Sequence, residues 1–231
     1  MTIYVPNLGE LEMLKSILQM AALEVGLYKN VVSPDGGTTF LNIQEMPSGG
    51  GRGYARKSLA NEIVENGLTA NKWFLGSNSD GKAQAQYHNA ALEWEFNAND
   101  VADGNTVYGQ FGIIRVVPFD QGSSEIRVGD TITGATSGAT AVVTGVVVIS
   151  GAWTGDAAGY LFVKNQSATA FQDNENLQVG GGTKAVSNTG TLFGGDSHKQ
   201  LMFLEAFTES KKIDTVGQKI KVTLKLTLST A

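Results

Sequence analysis

The sequence has no cysteine, only four prolines and only two histidines among 231 residues. A chain without cysteine has no disulfide, no thiolate metal ligand and no cysteine nucleophile. No apolar segment approaches the roughly 20 residues that a membrane-spanning helix requires, so we expect no membrane contact. The first ten residues have neither the basic region nor the apolar stretch of a signal peptide, which predicts a protein assembled in the cytoplasm.

The charge balance argues against a nucleic-acid partner. Acidic residues outnumber basic ones by 22 to 17, which gives a net charge of −5, and no basic stripe with interleaved aromatic residues offsets it. A chain with this balance repels the phosphate backbone. We therefore expect no binding of DNA or RNA.

The sequence offers no catalytic motif, and we expect neither an enzyme nor a cofactor. The two histidines, His88 and His198, stand far apart in polar surroundings, which favours surface positions over a general base or a metal ligand. Residues 49–53 are glycine-rich but lack the Gly-Lys pair of a phosphate-binding loop, which favours a mobile loop. Residues 173–176 (DNEN) have oxygen ligands that suit calcium, but their spacing is not that of an EF-hand and no metal is predicted.

One helix is predicted, near the N-terminus. Apolar residues recur there at three- and four-residue steps, the spacing of one helical face. Asn7 and Glu10 have the spacing of a capping box, and Gly26 stands where a C-terminal cap is expected. The helix either packs on a sheet of its own chain or forms an arm that reaches a neighbouring subunit. The residues of its apolar face are Leu11, Leu14, Leu18, Ala21 or Ala22, and Val25.

For the rest of the chain we predict short strands joined by tight turns. The apolar residues alternate with polar ones, as in strands with one buried face, and the 29 glycines of the sequence favour tight turns between them. Residues 27–32 form a strand that a turn at 33–37 closes. Residues 92–96 alternate between apolar and acidic, and with the strand at 107–117 they predict a hairpin. The C-terminal strand alternates five apolar residues with lysines and threonines, so a slip of one residue would bury the lysines. Its apolar residues are Ile220, Val222, Leu224, Leu226 and Leu228.

Residues 121–197 differ in composition from their surroundings and are predicted to be a small all-β domain inserted into a loop of a base domain. They are rich in Gly, Thr and Ala, and no Lys or Arg occurs between Arg127 and Lys164. Residues 129–143 are loosely repeated at 174–186, which predicts two similar hairpins that share one core. The base domain then consists of residues 1–120 and 198–231.

Five of the 17 basic residues fall within the last 21 positions. They form either a solvated face that discourages aggregation through a sheet edge or a docking face for an acidic partner. These residues are Lys211, Lys212, Lys219, Lys221 and Lys225.

Six short segments of the chain carry a resemblance: residues 5–15, 27–30, the region of Trp73, 106–109, 205–207 and 217–223. They resemble small bacteriophage virion structural proteins of the head-decoration type. The resemblance covers roughly residues 1–118 and 199–231, and it implies a mainly β chain with a jelly-roll-like β-sandwich as base domain. The inserted domain resembles the Ig-like or β-roll modules of phage tail and capsid proteins.

The resemblance implies a capsid decoration, or cement, protein on the surface of the virion. It would bind the major capsid protein as a homotrimer, with the inserted domain projecting outward. The alternative is a tail-associated adhesin that binds a host glycan or protein, which exposure of Trp153 and Tyr160 would favour. A small carbohydrate-active enzyme would require two converging carboxylates. The candidate partner contacts are Leu11, Leu14, Leu18, Trp73, Lys211 and Lys212.

Overall fold

The computed structural model describes residues 7–20, 22–33, 35, 37–60, 62–64, 71–88, 92–188 and 199–227. The chain forms two compact units. The first consists of Met1–Val31, Gln44–Gln110 and Glu205–Ala231, and the second of Val32–Ile43 and Phe111–Leu204. The prediction of a mainly β chain with one N-terminal helix is confirmed, and its several sheets are consistent with a β-sandwich.

The described helices are α1 (Asn7–Met20), a 3-10 turn (Phe40–Asn42) and α2 (Ala98–Asp103). The first strands are β1 (Glu24–Tyr28), β2 (Lys57–Ser58), β3 (Ile63–Val64), β4 (Lys72–Ser77), β5 (Ala83–His88), β6 (Glu93–Glu95) and β7 (Thr106–Gly122). They are followed by β8 (Thr131–Gly134), β9 (Thr140–Ser150), β10 (Ala157–Lys164), β11 (Asn176–Val179) and β12 (Gly182–Ser187). The last strands are β13 (Lys199–Lys212), β14 (Lys219–Lys221) and β15 (Lys225–Thr227).

Helix α1 packs on a sheet of its own chain. The sheet has the order β15-β5-β4-β3, and α1 contacts β4 and β5. The helix ends at Met20 rather than at Gly26, because Val25 and Gly26 belong to β1. The strand predicted at 27–32 therefore begins earlier and ends at Tyr28. Ala21 and the side chain of Asn7 lie outside the described residues.

The strand β6 pairs with β14 and not with β7, so the predicted hairpin is wrong. A short helix, α2, occupies the connection, and Gly104 caps its C-terminal end in the left-handed conformation. The predicted alternation of β6 is confirmed, since Trp94 is buried, Glu95 is exposed and Glu93 is half-buried under its lysine partners. The C-terminal alternation is also confirmed, but it is divided between two short strands, β14 and β15, of different sheets. Leu228 lies outside the described residues.

The glycine-rich loop at 49–53 is held by α2, although the sequence predicted a mobile loop. Asp100, which is fully buried, accepts a hydrogen bond from the Gly53 N–H at 2.7 Å. Arg52 forms a bidentate ion pair with Asp103, with N–O distances of 2.7 and 3.1 Å. These contacts join the C-terminal end of the loop to Asp100 and Asp103 of α2.

The second unit contains a closed ring of six antiparallel strands. Their order is β10-β9-β8-β11-β12-β7, and β10 also pairs with β7, which completes the ring. The hairpins β8–β9 and β11–β12 are joined through β8 and β11, and residues of all four strands share one buried core. The two hairpins predicted from the repeated segment are thereby confirmed.

The finer predictions about this region have different outcomes. An Ig-like domain packs two separate sheets face to face, whereas these strands follow each other around one ring, so an Ig-like fold is not confirmed. The predicted boundaries at 121 and 197 differ from those of the second unit, which includes residues 32–43 and begins again at Phe111. The insertion itself stays a prediction.

Replacing Gly159 with alanine is expected to lower the free energy of unfolding by about 1–3 kcal/mol. A Cβ at this position would overlap the carbonyl oxygen of Val147 on β9, where the pairing of β9 with β10 has a bulge. Urea unfolding followed by circular dichroism measures the loss. Gly182→Ala is the control, because its Cβ would lie 3.7 Å from the nearest atom, and a loss equal to that of Gly159→Ala would contradict the prediction.

Candidate partner-binding groove

An open apolar groove with a volume of about 550 Å³ lies on the second unit. Residues of four chain segments form it, and six of its ten lining side chains are large and apolar or aromatic. The lining residues are Gly37, Thr38, Thr39, Ile114, Val116, Tyr160, Phe162, Gln200, Leu201 and Met202.

The strand β10 places two aromatic side chains in this groove. Its residues alternate, so Leu161 and Val163 enter the core of the ring while Tyr160 and Phe162 point away from it. Phe162 lies opposite Val116 of β7 in the antiparallel pairing, and opposite residues share one face of a sheet. The groove therefore lies against the outer face of the ring.

The wall at residues 37–39 is held in place by hydrogen bonds from both sides. The Asp35 carboxylate accepts from the Gly37 N–H and from the Thr38 hydroxyl, each at 2.9 Å. The side-chain oxygen of Asn42 accepts from the Thr39 N–H at 2.8 Å. Because these bonds fix the backbone of the wall, the shape of the groove is largely formed before any partner binds.

The groove is electrically neutral along its described lining. Tyr160 is the one lining side chain with a titratable group, and the hydroxyls of Thr38 and Thr39 and the amide of Gln200 are the other polar groups. Met202 is 40% exposed, and Leu41 of the neighbouring 3-10 turn is 65% exposed. Apolar surface in a preformed concavity is typical of contact sites for apolar segments. The groove is therefore suited to bind a partner by burying apolar surface rather than through charged groups.

None of the six candidate contacts predicted from the sequence lines this groove. Leu14, Leu18 and Trp73 are only 4%, 3% and 1% exposed and pack inside the first unit, where Trp73 stacks edge-to-face on Tyr87 at 5.1 Å. Leu11 is half-buried on α1. The three buried side chains pack against their own chain and leave almost no surface for a partner.

The C-terminal lysines divide into two groups. Lys219 and Lys221 form ion pairs with Glu93, each at 2.7 Å, and Lys219 also reaches Glu95 at 3.2 Å. These two lysines do not form a positively charged surface, because acidic residues of the adjacent strand neutralise them. Their hydrogen bonds and charges lower the pKa of Glu93 below its ordinary value. In the second group, Lys211 reaches Glu209 at 3.5 Å, and Lys211, Lys212 and Lys225 are exposed like the other two lysines.

The acidic turn at 173–176 turns one carboxylate inward. Glu175 is 3% exposed and accepts from the N–H groups of Gln172, Thr136 and Ser137 at 2.6, 3.0 and 2.9 Å, and from the Ser137 hydroxyl at 2.8 Å. Desolvation alone would raise the pKa of Glu175, but these hydrogen bonds outweigh it and lower the pKa below the ordinary value. The group thus ties the β8–β9 turn to the start of β11.

The described residues contain no group of three or more His, Asp or Glu side chains placed to hold a metal ion. A glycosidase would need two carboxylates that converge on a cleft; Glu93 and Glu95 instead form ion pairs with Lys219 and do not line the groove. His88 lies opposite Lys72 in the β4–β5 pairing, and His198 is outside the described residues.

The two aromatic residues that would favour an adhesin have different positions. Trp153 stacks on Phe119 at 5.0 Å with an interplanar angle of 8° and packs against the core of the ring. Tyr160 is half-exposed in the groove. Both side chains are partly exposed, but only Tyr160 lines the groove.

Sequence reasoning missed Phe162, Leu201 and Met202 as site residues. The available signal was that residues 157–163 are apolar on both faces, although a strand of a ring has only one inward face. The outward apolar face of this strand must then be covered by residues that lie outside the core of the ring. The same signal applies to β7, whose residues Ile114 and Val116 form the floor of the groove.

No family model matches the chain, and neither a curated protein nor a solved structure matches it significantly. Within the described ranges, no helix has both the length and the hydrophobicity to cross a membrane.

Proposed function

We propose that the chain is a structural protein of a bacteriophage particle, a capsid decoration protein that binds the outer capsid lattice through the groove of its second unit. The observation that carries the proposal is the preformed apolar groove with Tyr160 and Phe162 on its wall. A small fixed concavity of this kind suits an apolar segment of a partner protein better than it suits a reaction. The resemblance of the base segments to head-decoration proteins points to the major capsid protein as that partner.

The physical advantage of such a site is that little of its backbone has to become ordered when a partner binds. The groove lies against a ring of paired strands, and its free wall is fixed by Asp35 and Asn42. Binding then loses little backbone entropy, so many modest apolar contacts suffice for a stable complex. Reinforcement of a capsid requires this kind of rigid contact, repeated over the lattice.

Replacing Phe162 with glutamine is expected to weaken binding to particles that lack the protein by about 10- to 100-fold, since a phenylalanine side chain contributes about 1.5–3 kcal/mol when it is buried. Co-sedimentation of the purified protein with such particles measures the affinity. Lys164→Gln is the matched control, because Lys164 is exposed two residues further along the same strand and does not line the groove.

Cryo-electron microscopy of intact particles locates the protein. Copies over the whole lattice support the proposal, and particles that carry the protein should release DNA at a higher temperature than particles without it. The proposal fails if Phe162→Gln binds as tightly as the wild-type protein or if both kinds of particle release DNA at the same temperature.

The second candidate is a tail-associated adhesin. Tyr160 favours it, because an aromatic ring beside hydroxyl and amide groups, here Thr38 and Gln200, is a common way to bind a sugar. A few copies at the tail in the same images, together with binding to host cells that Tyr160→Ala abolishes, would support the adhesin over the decoration protein.

A further inference from the structure

The methionines are the only sulfur-containing residues of the chain, because it has five methionines and no cysteine. A two-electron oxidant such as hydrogen peroxide converts a methionine to its sulfoxide, provided that the oxidant reaches the sulfur from solvent. Met202 of β13 is 40% exposed and Met13 of α1 is 51% exposed, whereas Met46 is 2% exposed. Peroxide therefore has at least two accessible targets in the described part of the chain.

Met202 differs from Met13 in its surroundings, because it lines the apolar groove of the second unit. The same lining contains Ile114, Phe162 and Leu201, and none of its side chains has a formal charge at neutral pH. A thioether suits such a surface because it is flexible and nearly apolar, whereas a sulfoxide is polar. Oxidation of Met202 thus changes the chemistry of the groove, while oxidation of Met13 changes an exposed position of the other unit.

The wall of the groove has no spare hydroxyl proton for a sulfoxide oxygen. The Thr38 hydroxyl donates to the Asp35 carboxylate at 2.9 Å, and the Thr39 hydroxyl donates to the side-chain oxygen of Asn42 at 3.1 Å. Each hydroxyl has one proton, so neither can donate to the sulfoxide without breaking a bond that fixes the wall. The new oxygen must then keep water bound or accept from one of the two other polar side chains of the lining. In both cases polar surface replaces apolar surface in the groove.

We propose that Met202 is a modification site at which hydrogen peroxide, or another oxidant of the peroxide class, lowers the affinity of the groove for apolar ligands. The thioether sulfur loses two electrons and gains one oxygen atom to become a sulfoxide, and the peroxide is reduced to water. Burying that oxygen under an apolar ligand weakens binding by about tenfold or more. The inference deepens the proposed function, and it rests on that function only for its consequence at the capsid.

Peptide mass mapping after a short exposure to hydrogen peroxide measures which methionines gain an oxygen atom. Met202 should be largely oxidised while Met46 stays mostly reduced, because only the first is accessible to the oxidant. Met13 should react as well, since it is also exposed, and Met13→Leu removes that second target. Protection of Met202 to the same degree as Met46 would overturn the proposal.

The neutral apolar dye Nile red measures the affinity of the groove in the absence of any capsid. Phe162→Gln should weaken dye binding, because Phe162 lines the groove. Peroxide should weaken it by about tenfold in the wild-type protein and in Met13→Leu, but not in Met202→Leu, which keeps an apolar side chain without sulfur. Methionine sulfoxide reductase should restore binding by the wild-type protein. A dye that does not bind the groove, or an equal loss in Met202→Leu, contradicts the inference.

Co-sedimentation with particles that lack the protein separates this inference from the proposed function. Weaker binding by the oxidised protein than by the reduced protein supports both. If the reduced protein binds no particles, the proposed function fails and the dye measurement decides the inference. If the protein binds equally well with Met202 reduced and oxidised, the inference is wrong and the proposed function is unaffected. Circular dichroism should be the same before and after oxidation, and unfolding of the oxidised protein would count against a local effect at the groove.

Discussion

Replacing Arg56 with alanine is expected to lower the free energy of unfolding by about 3–5 kcal/mol, because it leaves two largely buried carboxylates without their counter-charge. The guanidinium binds Glu45 through two parallel contacts of 2.7 and 2.5 Å and Glu24 through one of 3.2 Å. All three side chains are about four-fifths buried. Urea unfolding followed by tryptophan fluorescence measures the change.

The network around Arg56 explains why the loss should be large. Desolvation disfavours the charged guanidinium, but the hydrogen bonds and charges of Glu45 and Glu24 outweigh it and raise the pKa of Arg56 above its ordinary value. The hydroxyl of Tyr54 donates to Glu45 at 2.9 Å and accepts from the Leu27 N–H at 3.0 Å. Replacing the arginine should therefore also weaken the hydrogen bonds that link Glu45 and Tyr54 to Leu27 of β1.

Arg127→Ala provides the control for this prediction. Arg127 also pairs with a glutamate, Glu125, at 2.8 Å, but both side chains are more than half exposed. An exposed pair contributes about 0–1 kcal/mol, so this variant should unfold almost as the wild-type protein does. Equal losses for Arg56→Ala and Arg127→Ala would show that the burial of the network contributes nothing.

Where one face of a strand is buried, alternation in the sequence was enough to predict its orientation. Trp94 and Ile220 are buried, and the charged residues beside them are exposed or, in the case of Glu93, half-buried, as the alternation indicated. The pairing partner of each strand could not be predicted in the same way, because β6 and β14 are more than 120 residues apart in the chain. The glutamates of β6 and the lysines of β14 are complementary in charge, but charge complementarity alone does not distinguish β14 from other lysine-bearing strands.

The connection after β6 was predicted wrongly because a helix of six residues is too short to show helical periodicity. Its start was nevertheless encoded in the sequence. The side chain of Asn97 accepts from the N–H of Asn99 at 3.0 Å, and Asp100 accepts in return from the N–H of Asn97 at 2.9 Å. This is the reciprocal arrangement of a capping box, which the spacing of Asn97 and Asp100 would have revealed.

The end of α1 was predicted too late because the following strand is buried on both faces. Val25, Leu27 and Tyr28 of β1 are all fully buried, so the strand has no alternation that could distinguish it from a continuing apolar helical face. Gly26, predicted as a helix cap, instead lies inside β1. The β-branched Val25 and the aromatic Tyr28 favour a strand, and that local preference agrees with the structure.

The groove could not be assembled from the sequence, because its residues come from four segments that only the fold brings together. Residues 37–39 and 200–202 are separated by most of the second unit in sequence. Only the individual strands carried a signal, in that β7 and β10 are apolar on both faces. That signal predicts that the outward faces of β7 and β10 are buried against other residues, but it does not predict which residues these are.

The acidic turn at 173–176, where no metal was predicted, has a structural role that its composition did not reveal. Four acidic or amide residues in succession suggested oxygen ligands for a cation, but a carboxylate that already accepts four hydrogen bonds has little capacity left for one. Gly134 permits this arrangement, because a Cβ at that position would overlap the Glu175 carboxylate. The turn is therefore a structural bridge between the two hairpins of the ring.

Replacing Glu175 with glutamine is expected to lower the free energy of unfolding by about 2–4 kcal/mol at neutral pH, because the amide nitrogen faces N–H donors that the carboxylate had satisfied. Glu125→Gln, at an exposed position of the same unit, should have an effect of less than about 0.5 kcal/mol. Thermal unfolding of the two variants and the wild-type protein over a range of pH measures both effects.

The pH dependence of this loss separates the charge of Glu175 from its shape. The pKa of Glu175 is lower in the folded protein than its ordinary value of 4.5, so the folded state binds the proton less readily than the unfolded chain does. The stabilisation is therefore complete above pH 4.5 and is lost as the pH falls through the lower, folded-state pKa. The stability difference between wild type and Glu175→Gln should be constant at neutral pH and should shrink in acid. A difference that stays constant down to about pH 3, or one that grows, would show that the ionised carboxylate does not hold the two hairpins together.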